Sequence, residues 1–308
     1  MIYFLFVLLV IILIILATTF IIFRFIFGPR EERDPREVPE DDQYQEFKDE
    51  TVTLVTALMN KPFETVSIIS HDTLLLKGRW YEGEKDKPTA ILFHGYRGSA
   101  YRDFCGGSAL LFEKGWNVLI VDERAHGMSE GRAITFGIKE KYDASDWVEY
   151  VEERKGKGNG VYLFGISMGA ATVLMASSIL DKNTVRGIIA DCPFSSPVAI
   201  IEKVMKDKKL PSSLLMPLVK LSATLWGGFY LDSASAIDAV QKTNIPILLI
   251  HGEDDRFVPE YMSRDIYEAN KKIIRYETFP CAGHGLSFMV DNKRYRRVVD
   301  EFLASLGD

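Results

Sequence analysis

Cysteine is scarce in this chain of 308 residues, and its placement excludes two kinds of protein. The three cysteines are Cys105, Cys192 and Cys281. They are odd in number and widely separated, so they match neither a disulfide framework nor the ligand spacing of a zinc site. We therefore predict three free thiols, which are typical of a reducing compartment.

A basic surface is also missing. The formal net charge is −6, and residues 29–50 hold ten acidic and four basic side chains, so the rest of the chain is close to neutral. Binding to nucleic acids needs a basic patch, and we predict no nucleic-acid partner. Residues 29–50 also contain three prolines and few apolar side chains, a composition that predicts a solvated acidic linker.

Charged side chains are absent from residues 2–23, which consist mainly of Ile, Leu, Val and Phe. Such a run is long enough to cross a bilayer as a helix. It lacks the basic start and the cleavage site of a secretory signal peptide, so we predict a transmembrane anchor over residues 1–28. The arginines near this run all follow it: Arg24, Arg30, Arg33 and Arg36. Because basic flanks stay in the cytoplasm, we expect the remaining chain on the cytoplasmic side of a cell membrane.

Residues 51–308 show the pattern of a single α/β domain. Two apolar runs, 63–69 and 74–81, predict a hairpin, and strands then alternate with helical segments. This alternation is typical of a mostly parallel sheet with helices on both faces. The further strands are predicted at 89–93, 117–121, 161–164, 185–190, 245–250 and 274–279. Between residues 194 and 244 the alternation is interrupted by an apolar, helix-like insertion.

The most informative stretch is Gly165-Ile166-Ser167-Met168-Gly169, which lies between a predicted strand and a predicted helix. A strand that turns abruptly into a helix strains the central residue and needs glycine on both sides. The Ser167 hydroxyl then lies at the end of the sheet. The Met168 amide lies at a helix N-terminus, where unpaired N–H groups favour negative charge. The alternative is a glycine-rich turn with an unreactive serine.

Three other loops follow predicted strands, at the sheet edge where ligands bind. In His94-Gly95-Tyr96-Arg97-Gly98 we predict that the Tyr96 N–H joins the Met168 N–H in an oxyanion hole. His94 is interpreted as a buried packing residue. Arg97 is interpreted as a solvated side chain, with binding of an anionic substrate group as the alternative.

An acid and a base are available in the loops after the last two strands. Asp254 and Asp255 are the acid candidates after strand 245–250, since a carboxylate there can orient an imidazole. His284 lies between two glycines after the last strand and is the candidate base. His126, in the loop after strand 117–121, is a weaker candidate. In that loop we expect a pair between Asp122 and Arg124. The chain order is thus serine, acid, histidine.

Five loop sequences, HGYRG, DERAHGMS, GISMG, HGEDDRFVP and CAGHG, resemble those of α/β-hydrolases of the serine aminopeptidase and monoglyceride-lipase-like branch. The resemblance covers about residues 63–305. It implies an eight-stranded sheet, a helical cap over the serine at about 194–244, and a domain that needs no metal or cofactor. It also implies a catalytic triad of Ser167, Asp255 and His284, with Asp254 as the second choice of acid and Asp191 as the third.

We therefore expect a serine hydrolase that cleaves an ester, or a similar carbonyl compound, through an acyl-enzyme on Ser167. The expected partners are a small-molecule or lipid acyl substrate and, through the N-terminal helix, a membrane. Two alternatives stay open. One is acyl transfer to an alcohol or amine by the same triad, and the other is a membrane-tethered binding module on a hydrolase scaffold.

Overall fold

The computed structural model describes residues 1–29 and 33–308. Arg30 of the predicted basic flank, and residues 31 and 32 of the predicted linker, lie outside the described residues. An eight-stranded sheet forms the centre of the domain, in the order β1-β2-β4-β3-β5-β6-β7-β8. The strands are β1 Glu64–Ile69, β2 Leu75–Tyr81, β3 Thr89–Phe93, β4 Asn117–Val121, β5 Val161–Ile166, β6 Val185–Asp191, β7 Ile247–Gly252 and β8 Ile274–Phe279.

The sheet is mostly parallel, as predicted. β1 pairs with β2 and β2 with β4 in antiparallel register, and every later pairing is parallel. All residues of β3, β4 and β7 are buried, as expected for strands covered by helices on both faces. The eight predicted strands are confirmed, with the largest shift at β7, which begins at Ile247 instead of residue 245.

Helices cover both faces of the sheet. They are α1 Ile2–Ile26, α2 Asp42–Gln45, α3 Lys48–Met59, α4 Ala100–Phe104, α5 Gly107–Glu113, α6 Glu140–Lys155, α7 Met168–Ala176, α8 Pro197–Asp207, α9 Ser212–Ser222, α10 Ala236–Val240, α11 Tyr261–Ala269, α12 Ser287–Val290 and α13 Asn292–Ser305. A π-helical turn, Ala223–Gly227, follows α9.

Two apolar cores lie on the two faces of the sheet. Trp147 of α6 and Val173 of α7 contribute to one of them. Phe104 of α4, Leu111 of α5 and Val299 of α13 contribute to the other. Residues 100–113 form two short helices, α4 and α5, with a break at Cys105 and Gly106. A Cβ on Gly106 would lie 2.3 Å from the Phe288 ring.

A third apolar core joins the insertion to the end of α1. It contains Phe23 and Phe27 together with Ile200 of α8 and Val219 of α9. By length and composition α1 is able to cross a membrane: its most apolar 18-residue window has a mean hydropathy of 3.4, and most of the helix is exposed. A signal sequence meets the same criteria. The side of the membrane that the domain faces stays a prediction.

Candidate active site

Ser167 lies in a sharp turn between β5 and α7. Its φ of +56° is in the left-handed region, which is strained for a residue with a side chain. Both flanking glycines are required by close backbone contacts: a Cβ on Gly165 would lie 2.3 Å from the Gly169 carbonyl oxygen, and one on Gly169 would lie 1.8 Å from the Phe93 carbonyl oxygen. The predicted turn is therefore present, with the serine at the carboxyl end of β5.

The loops after β7 and β8 bring Asp255 and His284 to this serine. The Nε2 atom of His284 lies 2.9 Å from the Ser167 Oγ, and its Nδ1 atom lies 2.7 Å from the Asp255 Oδ2. These distances are in hydrogen-bonding range, so a hydroxyl, an imidazole and a carboxylate form a continuous chain. The imidazole is positioned to take a proton from the hydroxyl while the carboxylate holds the opposite ring nitrogen.

Asp255 is well suited to remain a carboxylate. Burial favours its neutral form, but the His284 and His251 imidazoles outweigh this effect and hold the pKa of Asp255 well below its usual range. The backbone amides of Phe257 and Val258 donate to its Oδ1 at 2.9 and 2.8 Å. His251, for which no role was predicted, lies with its Nε2 atom 3.3 Å from the Asp255 Oδ2.

The other two acid candidates lie near the site, but His284 bonds to Asp255 and Ser167. Asp254 is exposed, and its backbone carbonyl accepts from the Gln43 side chain at 3.2 Å. Asp191 is buried at the end of β6, where its carbonyl accepts the Ser167 N–H at 2.9 Å. Burial raises the pKa of the Asp191 carboxyl to about 6, despite the opposing effects of His251 and Tyr295.

The loop after β3 lies directly beside Ser167, because a Cβ on Gly95 would be 3.3 Å from the Ser167 Cβ. The Gly95 N–H donates to the Asp103 Oδ2 at 2.7 Å, which holds this loop to α4. Tyr96 donates through its hydroxyl to the Ile26 carbonyl at 2.7 Å. The loop that carries one predicted oxyanion donor is thus attached to the end of α1. The roles of the Tyr96 and Met168 amides stay predictions.

His94 and His126 brace the loops around the site. The Nε2 atom of His94 accepts from the Glu123 N–H at 3.1 Å, and that of His126 accepts from the Arg97 N–H at 3.0 Å. Burial, and next the neighbouring His94, lower the pKa of His126 to about 3, so this ring is neutral. His94 is buried, as predicted.

Two expectations about charged side chains are wrong. Asp122 and Arg124 do not pair with each other: Asp122 contacts Arg79 at 2.6 Å, while Arg124 contacts Asp143 at 2.5 Å. Each side chain pairs with a residue on another element, Arg79 of β2 or Asp143 of α6. Arg97 is half-buried instead of solvated, and its guanidinium donates to the Phe25 carbonyl at 2.7 Å.

A cavity of about 430 Å³ lies at Ser167 and His284. Its lining comes from four places in the chain: residues 38–51, the segment from β3 to α5, the turn after β5, and the segment from His284 to α13. Arg256, Phe257 and two β-strand residues, Ile189 and Asp191, complete it. No described residue between 194 and 244 lines this cavity. The insertion is helical and packs against the end of α1, in a core that also contains Met168. Its role as a cap over the serine stays a prediction.

Residues 38–44, just before the domain, also line the cavity at Ser167. The Tyr44 hydroxyl donates to the carbonyl of His284 itself at 2.8 Å. This contact was not predicted from the sequence, because residues 29–50 are dominated by acidic side chains. Their isolated apolar residues, Val38, Tyr44 and Phe47, are the only sign that part of the segment packs against the domain.

Comparisons with known proteins support the fold. A family model described as the alpha/beta hydrolase fold matches residues 88–232. The chain is 30% identical to the uncharacterized protein YqkD of Bacillus subtilis over 65% of this chain and 66% of that protein. It is 27% identical to the lysophosphatidylserine lipase ABHD12 of Danio rerio over 61% of this chain and 49% of that protein.

Among solved structures, the chain is similar to the Pyrococcus furiosus esterase Pf2001, with a TM-score of 0.64 and 27% identity over 81% of this chain and 94% of that one. The matches to the two relatives named before it are partial: this chain spans about two thirds of the Bacillus protein and about half of the Danio rerio lipase. The resemblance to the monoglyceride-lipase-like branch in particular stays a prediction.

Proposed function

This chain belongs to the α/β-hydrolase superfamily, and we propose that it hydrolyses an ester through an acyl-enzyme intermediate formed on Ser167. The observation that carries the proposal is the chain of two hydrogen-bonding contacts from Ser167 to His284 to Asp255, at 2.9 and 2.7 Å. Three groups from distant parts of the sequence meet in the order that nucleophilic catalysis needs.

In the first half-reaction the Ser167 Oγ attacks the ester carbonyl carbon while its proton moves to the His284 Nε2. The resulting tetrahedral intermediate collapses, the bond to the alcohol breaks, and His284 returns the proton to the departing oxygen. In the second half-reaction a water molecule attacks the acyl-enzyme, again losing a proton to His284. The free acid leaves, and Ser167 recovers its proton.

Asp255 keeps His284 in the tautomer that this sequence requires. Its carboxylate accepts the Nδ1 proton, so the lone pair of Nε2 faces Ser167, and the negative charge stabilises the imidazolium that forms. The amides of Tyr96 and Met168 are proposed to donate to the carbonyl oxygen as it becomes negative. The position of Met168 at the first residue of α7 supports this role, since N–H groups at a helix N-terminus are unpaired.

An acyl ester is the favoured substrate class for two reasons. Much of the cavity at Ser167 is lined by apolar side chains, including Phe104, Leu110 and Phe288. The relatives include an esterase and a lysophosphatidylserine lipase, both of which act on acyl esters by name. We further propose that α1 anchors the domain to a membrane and that the domain faces the cytoplasm, because the arginines near α1 follow it.

The test is hydrolysis of p-nitrophenyl esters of increasing acyl length by the detergent-solubilised full chain. We expect Ser167→Ala to lower kcat/KM by about 10⁴-fold or more, since the nucleophile is lost. Ser178→Ala, which removes a half-buried hydroxyl just after α7, is the matched control and should stay within about twofold of wild type. Undiminished hydrolysis by Ser167→Ala would contradict the proposal.

A further inference from the structure

The cavity at Ser167 has an apolar inner wall built from the domain core. Leu92 of β3, Phe164 of β5 and Ile189 of β6 lie on the sheet side, and Leu111 of α5 and Val299 of α13 lie on the helix side. All five are buried members of one apolar core. The cavity therefore extends from the serine toward this core and offers an apolar group a place out of water.

The outer wall is residues 38–44, the segment that we call the strap. Four of its residues, Val38, Pro39, Gln43 and Tyr44, line the cavity together with the exposed Asp41. The strap includes the beginning of the short helix α2, which is capped by the Asp41 carboxylate accepting the Gln43 N–H at 3.0 Å. The strap thus has a defined local structure where it crosses the cavity.

Contacts on one side attach the strap to the loops that carry the acid and the base. Tyr44 donates to the His284 carbonyl at 2.8 Å, and Gln43 donates to the Asp254 carbonyl at 3.2 Å. Gln43 also packs directly on Gly283, where a Cβ would lie 2.7 Å from its Oε1. On the other side, Arg102 of α4 donates at 3.5 Å to the carbonyl of Glu37, the residue that precedes the strap. The strap is therefore attached to the domain at one end directly and at the other through the residue before it.

We propose that the strap and the apolar core below it form the acyl-binding site, and that the occupant is the hydrocarbon chain of an acyl ester. This inference rests on the proposed function, because an acyl group bonded to the Ser167 Oγ begins at the mouth of this cavity. Chain-length preference is then set by Val38 and the strap, whereas the helical insertion at 194–244 does not select the acyl chain.

Two matched substitutions distinguish the strap from the insertion. Val38→Trp adds bulk to the cavity wall, and Leu214→Trp places the same side chain at an exposed position of α9. We would measure kcat/KM of the detergent-solubilised full chain for a dodecanoyl and an acetyl ester. Val38→Trp should lower the ratio of dodecanoyl to acetyl activity by about tenfold or more, since the long chain loses its space. Leu214→Trp should leave this ratio within about twofold of wild type.

An unchanged ratio in Val38→Trp, or an equal loss in Leu214→Trp, would overturn the inference. A second measurement separates it from the proposed function. A fluorescent twelve-carbon fatty acid is titrated into Ser167→Ala, with and without Val38→Trp. Tight binding that Val38→Trp weakens by about tenfold supports the acyl site even if no ester is cleaved. Binding that does not change with Val38→Trp rejects it even if esters are cleaved.

Discussion

Replacing Asp255 by asparagine tests the relay from the carboxylate to the serine. The substitution keeps the size of the side chain and can retain the two backbone N–H groups, of Phe257 and Val258, that bind the Oδ1 at 2.9 and 2.8 Å. The amide group then faces the His284 Nδ1 in place of the Oδ2 that lies 2.7 Å away. Because an amide N–H donates, Nδ1 must accept, and the ring proton moves to Nε2.

An imidazole protonated at Nε2 is unable to take the Ser167 proton. We therefore expect kcat to fall by about 10⁴-fold, equivalent to about 5 kcal/mol of activation free energy, with little change in KM. The assay is hydrolysis of a short p-nitrophenyl ester at pH 8 by the folded, detergent-solubilised full chain.

The neighbouring residue provides the control for this experiment. Asp254→Asn makes the same chemical change at an exposed position one residue earlier, and kcat should stay within about threefold of wild type. If Asp255→Asn retained more than about a tenth of the wild-type kcat, or if Asp254→Asn lost as much activity as Asp255→Asn, the assignment of the acid would be refuted.

Three further experiments test the surrounding structure. Tyr96→Phe removes the hydroxyl that donates to the Ile26 carbonyl at 2.7 Å. The free energy of unfolding, measured by denaturant titration, should fall by about 1 kcal/mol. No loss would mean that the end of α1 does not stabilise this loop. Gly169→Ala places a Cβ 1.8 Å from a backbone oxygen and should cost more than about 4 kcal/mol or prevent folding. Gly107→Ala is the control: a Cβ there meets nothing within 4 Å, and the free energy of unfolding should change by less than about 1 kcal/mol. Similar effects of the two substitutions would contradict the packing of the turn. Asp191→Asn should stabilise the protein more at pH 8 than at pH 4. Burial raises the pKa of the Asp191 carboxyl from 3.8 to about 6 in the folded protein, so the stability present below pH 3.8 is lost as the pH rises through 6. The ionised carboxyl therefore costs about 3 kcal/mol of folding free energy at pH 8. Melting temperatures measured at both pH values would show this, and an equal gain at the two would reject it.

The strands and the Ser167 turn were predictable because their signals are local. A parallel strand buried on both faces is a continuous apolar run, and the residues of β3 and β4 form such runs over the predicted bounds. The turn at Ser167 needs glycine at two fixed positions because of backbone contacts within a few residues and with the adjacent β3. The placement of His284 near Ser167 was predictable because the carboxyl ends of parallel strands lie at one edge of the sheet, where the loops that follow them meet.

Features that depend on the meeting of distant segments were not predictable in this way. The apolar residues of the insertion show that it buries a surface, but not that its partners are Phe23 and Phe27 at the end of α1. The same limit applies to Tyr44, whose hydroxyl contacts a residue 240 positions away. Arg124 lies one residue from Glu123 and two from Asp122, yet it pairs with Asp72 and Asp143. Sequence patterns indicate polarity and local conformation, whereas partner choice depends on the folded arrangement.

The reactivity of Ser167 is the central claim, and covalent labelling measures it most directly. The full chain, solubilised in mild detergent, is treated with a fluorophosphonate, digested and analysed by mass spectrometry. We predict one phosphonylated peptide, modified at Ser167, and no labelling of folded Ser167→Ala. A folded wild-type chain that gains no adduct at Ser167, under conditions that label a control serine hydrolase, would contradict the account.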